Sequence, residues 1–150
     1  MDLILQHTDG LNPAFRNLVK QLDAWLAVTD GDEHSFYAQY NTLDQIKHVV
    51  LAYDGETPVG CGAFKKWDDH TAEIKRMFVL DDYRGKGIAT SVLASLEAWA
   101  KAEGFEQVIL ETGRRQEDAV ALYLKNQYIV TPCYGQYVGI ANSICFAKAL

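Results

Sequence analysis

The sequence predicts a mixed α/β domain: a mostly antiparallel sheet with one parallel strand pair made by a helical crossover, and helices on both faces. The chain has 150 residues and a mass of 16.8 kDa, the size of one ordinary domain, so residues 1–150 are expected to form a single domain. Residues 48–80 alternate apolar runs with turn-forming pairs, which is typical of an antiparallel meander. Residues 72–111 show strand, helix and strand patterns in succession, and such a crossover joins parallel strands.

Composition excludes several classes of protein. With 49% hydrophobic and 23% charged residues, the chain matches globular domains and not disordered or fibrous ones. The net charge of −6 argues against nucleic acid as a partner, because neutralising phosphates needs a basic surface. The chain has no apolar run of 18 residues and no basic leader, so we expect a cytoplasmic protein with no membrane partner. Cys61, Cys133 and Cys145 are an odd number at wide spacing, which favours reduced, mostly buried thiols and no metal site.

The first third of the chain predicts one strand and two helices. Leu3–Leu5 is a short apolar run typical of a strand. Asn12 is a favourable helix cap and Pro13 suits the first helical position, and apolar residues then recur at helical spacing to about Val28. A second short helix is predicted through Phe36, Tyr37 and Tyr40.

The middle of the chain predicts the meander itself. The runs His48–Tyr53, Pro58–Phe64 and Thr71–Leu80 have the composition of strands, and Asp54-Gly55 supplies a hairpin turn between the first two. Regular alternation along the third strand would divide its side chains between two faces. One face would carry Ile74, Arg76 and Phe78, and the other Glu73, Lys75, Met77 and Val79.

The last third predicts two helices and two strands. Gly87–Ala102 has the strongest helical periodicity, and Gly104 is expected to end that helix. Gln107–Glu111 is nearly all apolar inside, as expected of a strand covered on both faces. A helix over Glu117–Lys125 and a last strand over Ser143–Ala147 follow, and an exposed C-terminal strand would favour a homodimer.

The stretch Val79–Thr90 carries the clearest chemical signal. A strand ends, a short turn follows, and a helix begins on small residues, with Gly85 and Gly87 allowing close approach of a ligand. The first amide N–H groups of such a helix are unpaired and lie at its positive end, so they bind phosphate. Arg84 and Lys86 would add local positive charge. The alternative is a tight turn whose basic residues are merely solvated.

Two common phosphate-binding motifs do not fit this turn. A Walker loop needs Ser or Thr after Gly-Lys, and here Gly87 follows Lys86. A dinucleotide fingerprint needs a third glycine where this chain has Thr90, and it would open a fold that begins with parallel strands.

A third motif fits better and extends well beyond the turn. The spacing Arg84-x-x-Gly87-x-Ala89 matches the [Q/R]xxGx[G/A] motif of the GNAT acetyltransferases, which bind acetyl-CoA. Three further blocks resemble that family in order and spacing, so the resemblance runs from about residue 47 to the C-terminus. These blocks are Ala72–Val79, Leu110–Thr112 and Ala119–Tyr128.

The resemblance implies a GNAT acyl-CoA N-acyltransferase fold and a cleft for acetyl-CoA, used as a co-substrate without a metal. In this family the sheet splays after the central strand, and the pantetheine arm lies in the gap. By similarity the arm would contact the central strand, the pyrophosphate would lie on the turn, and a helix-starting residue would assist. The residues concerned are Met77, Phe78, Val79, Arg84, Gly85, Lys86, Gly87, Ile88, Ala89, Thr90 and Gln116.

The same resemblance implies two catalytic residues. Tyr123 lies where the family has a tyrosine that protonates the departing thiolate, and Glu73 lies where some members carry a general base. Each has a structural alternative: Tyr123 would pack in the core, and Glu73 would be a solvated strand residue. The family's asparagine is Gln116 here and its glycine after the helix is Gln127, which leaves the pantetheine contact open and suggests an altered helix end.

The implied activity is transfer of the acetyl group to a primary amine of a small molecule or peptide by direct attack in a ternary complex. Asp30, Asp32 and Glu33 would favour a cationic acceptor, although a solvated loop explains them equally well. Tyr134 and Tyr137 are candidate walls of the acceptor pocket. Two alternatives stay open: another acyl-CoA as donor, or a non-catalytic acyl-CoA-binding regulatory module.

Overall fold

The computed structural model describes residues 1–29, 43 and 45–150. The described residues form a seven-stranded sheet in the order β1-β2-β3-β4-β5-β7-β6. The strands are β1 (Leu3–Thr8), β2 (His48–Asp54), β3 (Thr57–Lys66), β4 (Thr71–Val79), β5 (Gln107–Gly113), β6 (Ile129–Thr131) and β7 (Ser143–Ala149). The helices are α1 (Pro13–Thr29), α2 (Ile88–Ala102) and α3 (Glu117–Lys125). The helix predicted through Phe36, Tyr37 and Tyr40 lies outside the described residues, as do Asp30, Asp32 and Glu33.

The topology confirms the predicted fold class. β1 to β4 form an antiparallel meander, α2 crosses over, and β5 then pairs with β4 in parallel. β6 was not predicted, because three residues are too few to show a periodicity. It pairs with β7 and covers it, so the C-terminal strand is not the exposed edge expected for a dimer.

The sheet has a hydrophobic core on each face, as predicted. Apolar residues of α2 and α3, including Leu93, Leu96 and Tyr123, pack on one face. Phe15, Leu18 and other residues of α1 pack on the other face, against β2 and β3. The predicted start of α1 is confirmed, since the side-chain oxygen of Asn12 accepts hydrogen bonds from the amides of Ala14 and Phe15 at 2.9 and 3.4 Å.

A β-bulge in β4 makes the predicted face assignment wrong. Cys61 lies opposite Phe78 and Ala63 opposite Lys75, so Arg76 and Met77 together oppose Gly62. Arg76 adopts a left-handed backbone with φ of 60°. The extra residue shifts the alternation by one. Met77 and Val79 therefore share the core beneath α2 with Ile74, while Phe78 packs on the α1 side.

The expectation for the cysteines is right for Cys61 and wrong for the other two. Cys61 is a free, buried thiol that donates to the carbonyl oxygen of Arg76 at 3.3 Å. Cys133 and Cys145 form a disulfide with a Cα–Cα distance of 5.1 Å. Pairing of β6 with β7 sets Thr131 opposite Cys145, which brings Cys133, two residues further on, within bridging reach. The disulfide therefore removes the argument from reduced thiols for a cytoplasmic location.

No described helix is long and apolar enough to cross a membrane.

Candidate active site

The site lies where β4 and β5 part. The two strands are paired only from Thr71–Glu73 to Gln107–Ile109. Beyond that point β4 continues along β3 to Val79, while β5 continues along β7 to Gly113. The gap between them is a cleft of about 620 Å³, within the usual range for small-molecule sites. Met77, Phe78 and Val79 lie on its wall, as the family resemblance implies.

The glycine turn forms one end of the cleft. Gly85 and Gly87 have φ of 75° and 81°, and no described atom beyond their chain neighbours lies within 4 Å of where a Cβ would be. Gly87 occupies the N-cap position of α2 and has no side chain to bond the first amides of the helix. The amides that begin α2 at Ile88, Ala89 and Thr90 therefore border the cleft with open space in front of the turn.

Arg84 and Lys86 differ from the expectation that they simply add charge to the turn. Arg84 donates through Nε to the carbonyl oxygen of Val79 at 3.1 Å, and its guanidinium lies 5.3 Å from the ring centroid of Trp25. Arg84 thus ties the turn to β4 and α1. Lys86 extends over the ring of Tyr83, 5.4 Å from its centroid. Arg84 still lines the cleft, and its charge lies near the turn.

Gln116 and Tyr123 line the opposite wall, on α3. Gln116 caps the start of α3, and its side-chain oxygen accepts from the Thr112 hydroxyl at 3.5 Å. Tyr123 is only 5% exposed, and its ring lies 5.6 Å from that of Tyr128 and 5.7 Å from that of Phe146. The core-packing alternative for Tyr123 is therefore correct, yet the same residue also lines the cleft. The two assignments are compatible.

Burial determines what the Tyr123 hydroxyl can do. Desolvation, with a smaller contribution from the charge of Glu111, raises the pKa of Tyr123 well above its ordinary value. A phenol in this environment keeps its proton and acts as a hydrogen-bond donor. That favours hydrogen bonding to a departing sulfur over full proton transfer to it.

The end of α3 is less altered than Gln127 suggested. The amide of Tyr128 donates to the carbonyl of Tyr123 at 3.0 Å, and that of Gln127 to Leu124 at 3.2 Å. These two bonds define a Schellman motif, with Gln127 at the left-handed position and φ of 72°. Glutamine therefore adopts the conformation that glycine would, and the motif holds Tyr128 beside Tyr123.

Glu73 is buried where the strands begin to part. It is 1% exposed and lines the cleft, so the alternative of a solvated strand residue is wrong. Its Oε2 accepts a hydrogen bond from the Tyr134 hydroxyl at 2.7 Å. Its Oε1 lies 3.8 Å from Lys75 Nζ and 3.9 Å from Lys65 Nζ. The carboxylate thus belongs to a small charged cluster.

Several residues of the cleft were not singled out from the sequence. Trp25 of α1 and Glu111 of β5 line it, and so does Lys75, whose side chain is 10% exposed. Tyr137 lines the cleft as expected, whereas Tyr134 reaches the site through its bond to Glu73. Within the described ranges, no group of three or more His, Cys, Asp or Glu residues could hold a metal ion.

A glycine turn at a helix start, facing a gap between diverging strands, is the arrangement that the resemblance to acyl-CoA-dependent acyltransferases implies. Comparison with known proteins agrees: the acetyltransferase (GNAT) family matches residues 13–128. The chain therefore belongs to the GNAT family and is an acyltransferase of the EC 2.3.1 class.

Individual relatives support this assignment. An IAA acetyltransferase of Azospirillum brasilense is 33% identical over 143 residues, covering 93% of each chain. A solved protein of Klebsiella pneumoniae, provisionally assigned as an acyl-CoA N-acyltransferase, is 25% identical with a TM-score of 0.84, over 99% of this chain and 97% of that one. A GNAT acetyltransferase of Elizabethkingia anophelis, solved with acetyl-CoA bound, shares the fold at a TM-score of 0.72 and 20% identity, over 99% of both chains.

Proposed function

We propose that this protein transfers the acetyl group of acetyl-CoA to a primary amine of a small molecule or peptide, by direct attack in a ternary complex. The observation that carries the proposal is the cleft, which the glycine turn, Glu73 and Tyr123 all line. One ligand can thus lie with its phosphates on the turn and its acyl group near the two candidate catalytic residues.

Binding of the coenzyme would use the groups already described. The amides over Gly85–Thr90 would hold the pyrophosphate, with the positive end of α2 behind them. Backbone groups of Met77 to Val79 would bond the pantetheine arm as a strand would, and Gln116 would contact it from α3. The backbone carbonyl of Val79 already accepts a hydrogen bond from Arg84. We therefore expect the backbone of Met77, more than that of Val79, to bond the pantetheine arm.

The chemistry requires two proton transfers. An alkylamine has a pKa near 10 and arrives protonated, so a base must remove a proton before nitrogen attacks the acetyl carbon. Glu73 would take that proton, directly or through water. A C–N bond forms, the C–S bond breaks, and the coenzyme leaves as a thiolate. The thiolate takes up the second proton, which the nitrogen loses as it becomes the amide, directly or through water. A backbone N–H of β4 would stabilise the tetrahedral oxyanion, and Tyr123 would hydrogen-bond the sulfur as its charge develops.

The first experiment is a screen for acetyl-CoA-dependent thiol release with polyamines, amino acids, aminoglycosides and peptides. Turnover with at least one acceptor is expected. Tyr123→Phe should lower kcat about 10- to 100-fold, because a hydrogen bond to a charged group contributes about 1.5–3 kcal/mol. Acetyl-CoA affinity, measured by calorimetry, should be unchanged. An unchanged kcat in this variant would refute the role of Tyr123.

A second experiment tests the phosphate site. Gly87→Glu places a carboxylate at the turn and should weaken acetyl-CoA binding strongly. Gly55→Glu is the matched control, because Gly55 also has a positive φ, of 60°, with no described atom within 4 Å of its Cβ position, but lies in the β2–β3 turn. Equal affinity in the two variants would refute the site.

Tight acetyl-CoA binding without thiol release from any acceptor would instead favour the non-catalytic binding module, and release only with a longer acyl-CoA would favour another donor.

A further inference from the structure

The cluster at the inner end of the cleft contains a buried ammonium group. The side chain of Lys75 is 10% exposed and lines the cleft. Among the described residues, its Nζ has no hydrogen-bond partner, and its nearest ion-pair contact, at 3.8 Å, is to Glu73 Oε1. Burial lowers the pKa of Lys75, which reflects the cost of removing the charge from water. A ligand that accepts hydrogen bonds would offset that cost.

The neighbouring carboxylate has the complementary requirement. Oε2 of Glu73 is bonded to Tyr134, but within the described part of the chain its buried Oε1 has no hydrogen-bond donor. Lys75 Nζ can donate and Glu73 Oε1 can accept, but at 3.8 Å they are too far apart to form a hydrogen bond with each other. A ligand carrying an amine and a carboxylate on neighbouring atoms would satisfy both.

The carboxylate of Glu111 also lines the cleft, but the positive charges nearest Glu73 disfavour an acceptor that is only cationic. Lys65 Nζ lies 3.9 Å from Glu73 Oε1, and Arg76 emerges from the adjacent bulge, paired with Asp23 at 2.8 Å. A polyamine reaching Glu73 would therefore meet the positive charges of Lys65 and Lys75. An anionic group beside Lys75 would remove one of these repulsions.

We propose that the acceptor is a zwitterionic amine, such as a free α-amino acid, whose carboxylate binds Lys75 Nζ while its amine lies at Glu73 Oε1. This rests on the proposed function and names its substrate class. Lys75 is then a specificity-determining residue. Its ammonium also favours the neutral form of a nearby amine, which is the form that attacks the acetyl carbon.

The test compares each amino acid with its own amide, which keeps the amine and the side chain but lacks the negative charge. With the unmodified protein, kcat/KM measured by thiol release should favour the amino acid by about tenfold or more, the effect expected of one charge-assisted hydrogen bond. Lys75→Met should lower kcat/KM for the amino acid by more than for the amide, because only the amino acid loses a carboxylate contact, and the preference should disappear. Lys75→Arg keeps the charge and should retain part of it.

Lys65→Met is the matched control. It removes a lysine at nearly the same distance from Glu73, but one whose side chain is 43% exposed on β3, so the preference should persist. Equal use of acids and amides, or the same loss of preference in Lys65→Met and Lys75→Met, would overturn the inference and leave the proposed function intact. If no acceptor releases thiol, calorimetry of amino acid and amide binding to the CoA-loaded protein decides. If the amino acid binds more tightly than its amide and Lys75→Met removes that difference, the inference is supported although the proposed function fails. If the amino acid and its amide bind equally, the inference is refuted.

Discussion

Replacing Gln127 by glycine should stabilise the protein. Gln127 is exposed and occupies the left-handed position of the Schellman motif after α3, with φ of 72°. A non-glycine residue pays about 1–2 kcal/mol for that conformation. Glycine avoids the cost but loses more freedom on folding, about 0.5–1 kcal/mol. Taken near the midpoints of these two ranges, the net gain is about 0.5–1 kcal/mol in the free energy of unfolding, or a rise of about 1–4 °C in Tm for a domain of this size.

The measurement is urea unfolding of the unmodified protein, Gln127→Gly and Gln127→Ala. The alanine variant is the control, since it removes the same side chain and keeps the left-handed strain, so it should show no gain. Acetyl transfer should be unchanged in both, because the amide of Tyr128 still donates to Tyr123. An equal gain in the alanine variant, or no gain in the glycine variant, would show that the strain argument is mistaken.

Three further predictions concern stability. Burial raises the pKa of the Cys61 thiol from 9.0 to about 12, so the folded state holds this proton more tightly than the unfolded state. Up to about 4 kcal/mol of stability that is present below pH 9 is therefore lost between pH 9 and 12. In Cys61→Ala, the slope of the free energy of unfolding against pH in this window should be smaller by the contribution of one proton. Reducing the Cys133–Cys145 disulfide, which spans 12 positions in the sequence, should lower the free energy of unfolding by about 2–3 kcal/mol; a double serine variant unaffected by dithiothreitol is the control, and an unchanged Tm on reduction would contradict the estimate. Gly62→Ala would place a Cβ 2.5 Å from Met77 Sδ beneath α2 and should cost about 1–3 kcal/mol in thermal or urea unfolding, whereas a neutral result would show that Met77 moves aside.

Elements with a local physical cause could be predicted from the sequence. Asn12 and Pro13 determine the start of α1 through bonds and dihedrals within a few residues, and the structure confirms that start. The helical periodicity after Gly87 likewise predicted α2 nearly to the residue. In each case the residues that determine the structure are neighbours in the chain.

Features that depend on pairing between distant segments could not be predicted in this way. The bulge at Arg76 exists because β4 has one residue more than β3 between two paired positions, which no pattern within β4 reveals. The disulfide likewise depends on the short strand β6, which places Cys133 next to Cys145. Neither follows from residue spacing alone.

The candidate site shows the same division. The glycine turn and Tyr123 were found from a motif, because motif residues lie close together in sequence. The contact of Glu73 with Tyr134 joins residues 61 positions apart, and the burial of Lys75 depends on how the sheet diverges. The motif therefore indicated the proposed coenzyme end of the cleft, but the groups proposed to face the acceptor became apparent only in three dimensions.

The parting of β4 and β5 also has a mechanical consequence. Three residue pairs join a four-stranded half of the sheet, β1–β4, to a three-stranded half, β5–β7. Beyond this junction, the backbone groups of β4 and β5 that face the gap have no described strand to pair with. A pantetheine arm lying in the gap would serve as an eighth, non-peptide strand that couples the two halves. We therefore expect the coenzyme to slow amide hydrogen exchange along both edges of the gap, so that the substrate becomes part of the fold while it is bound.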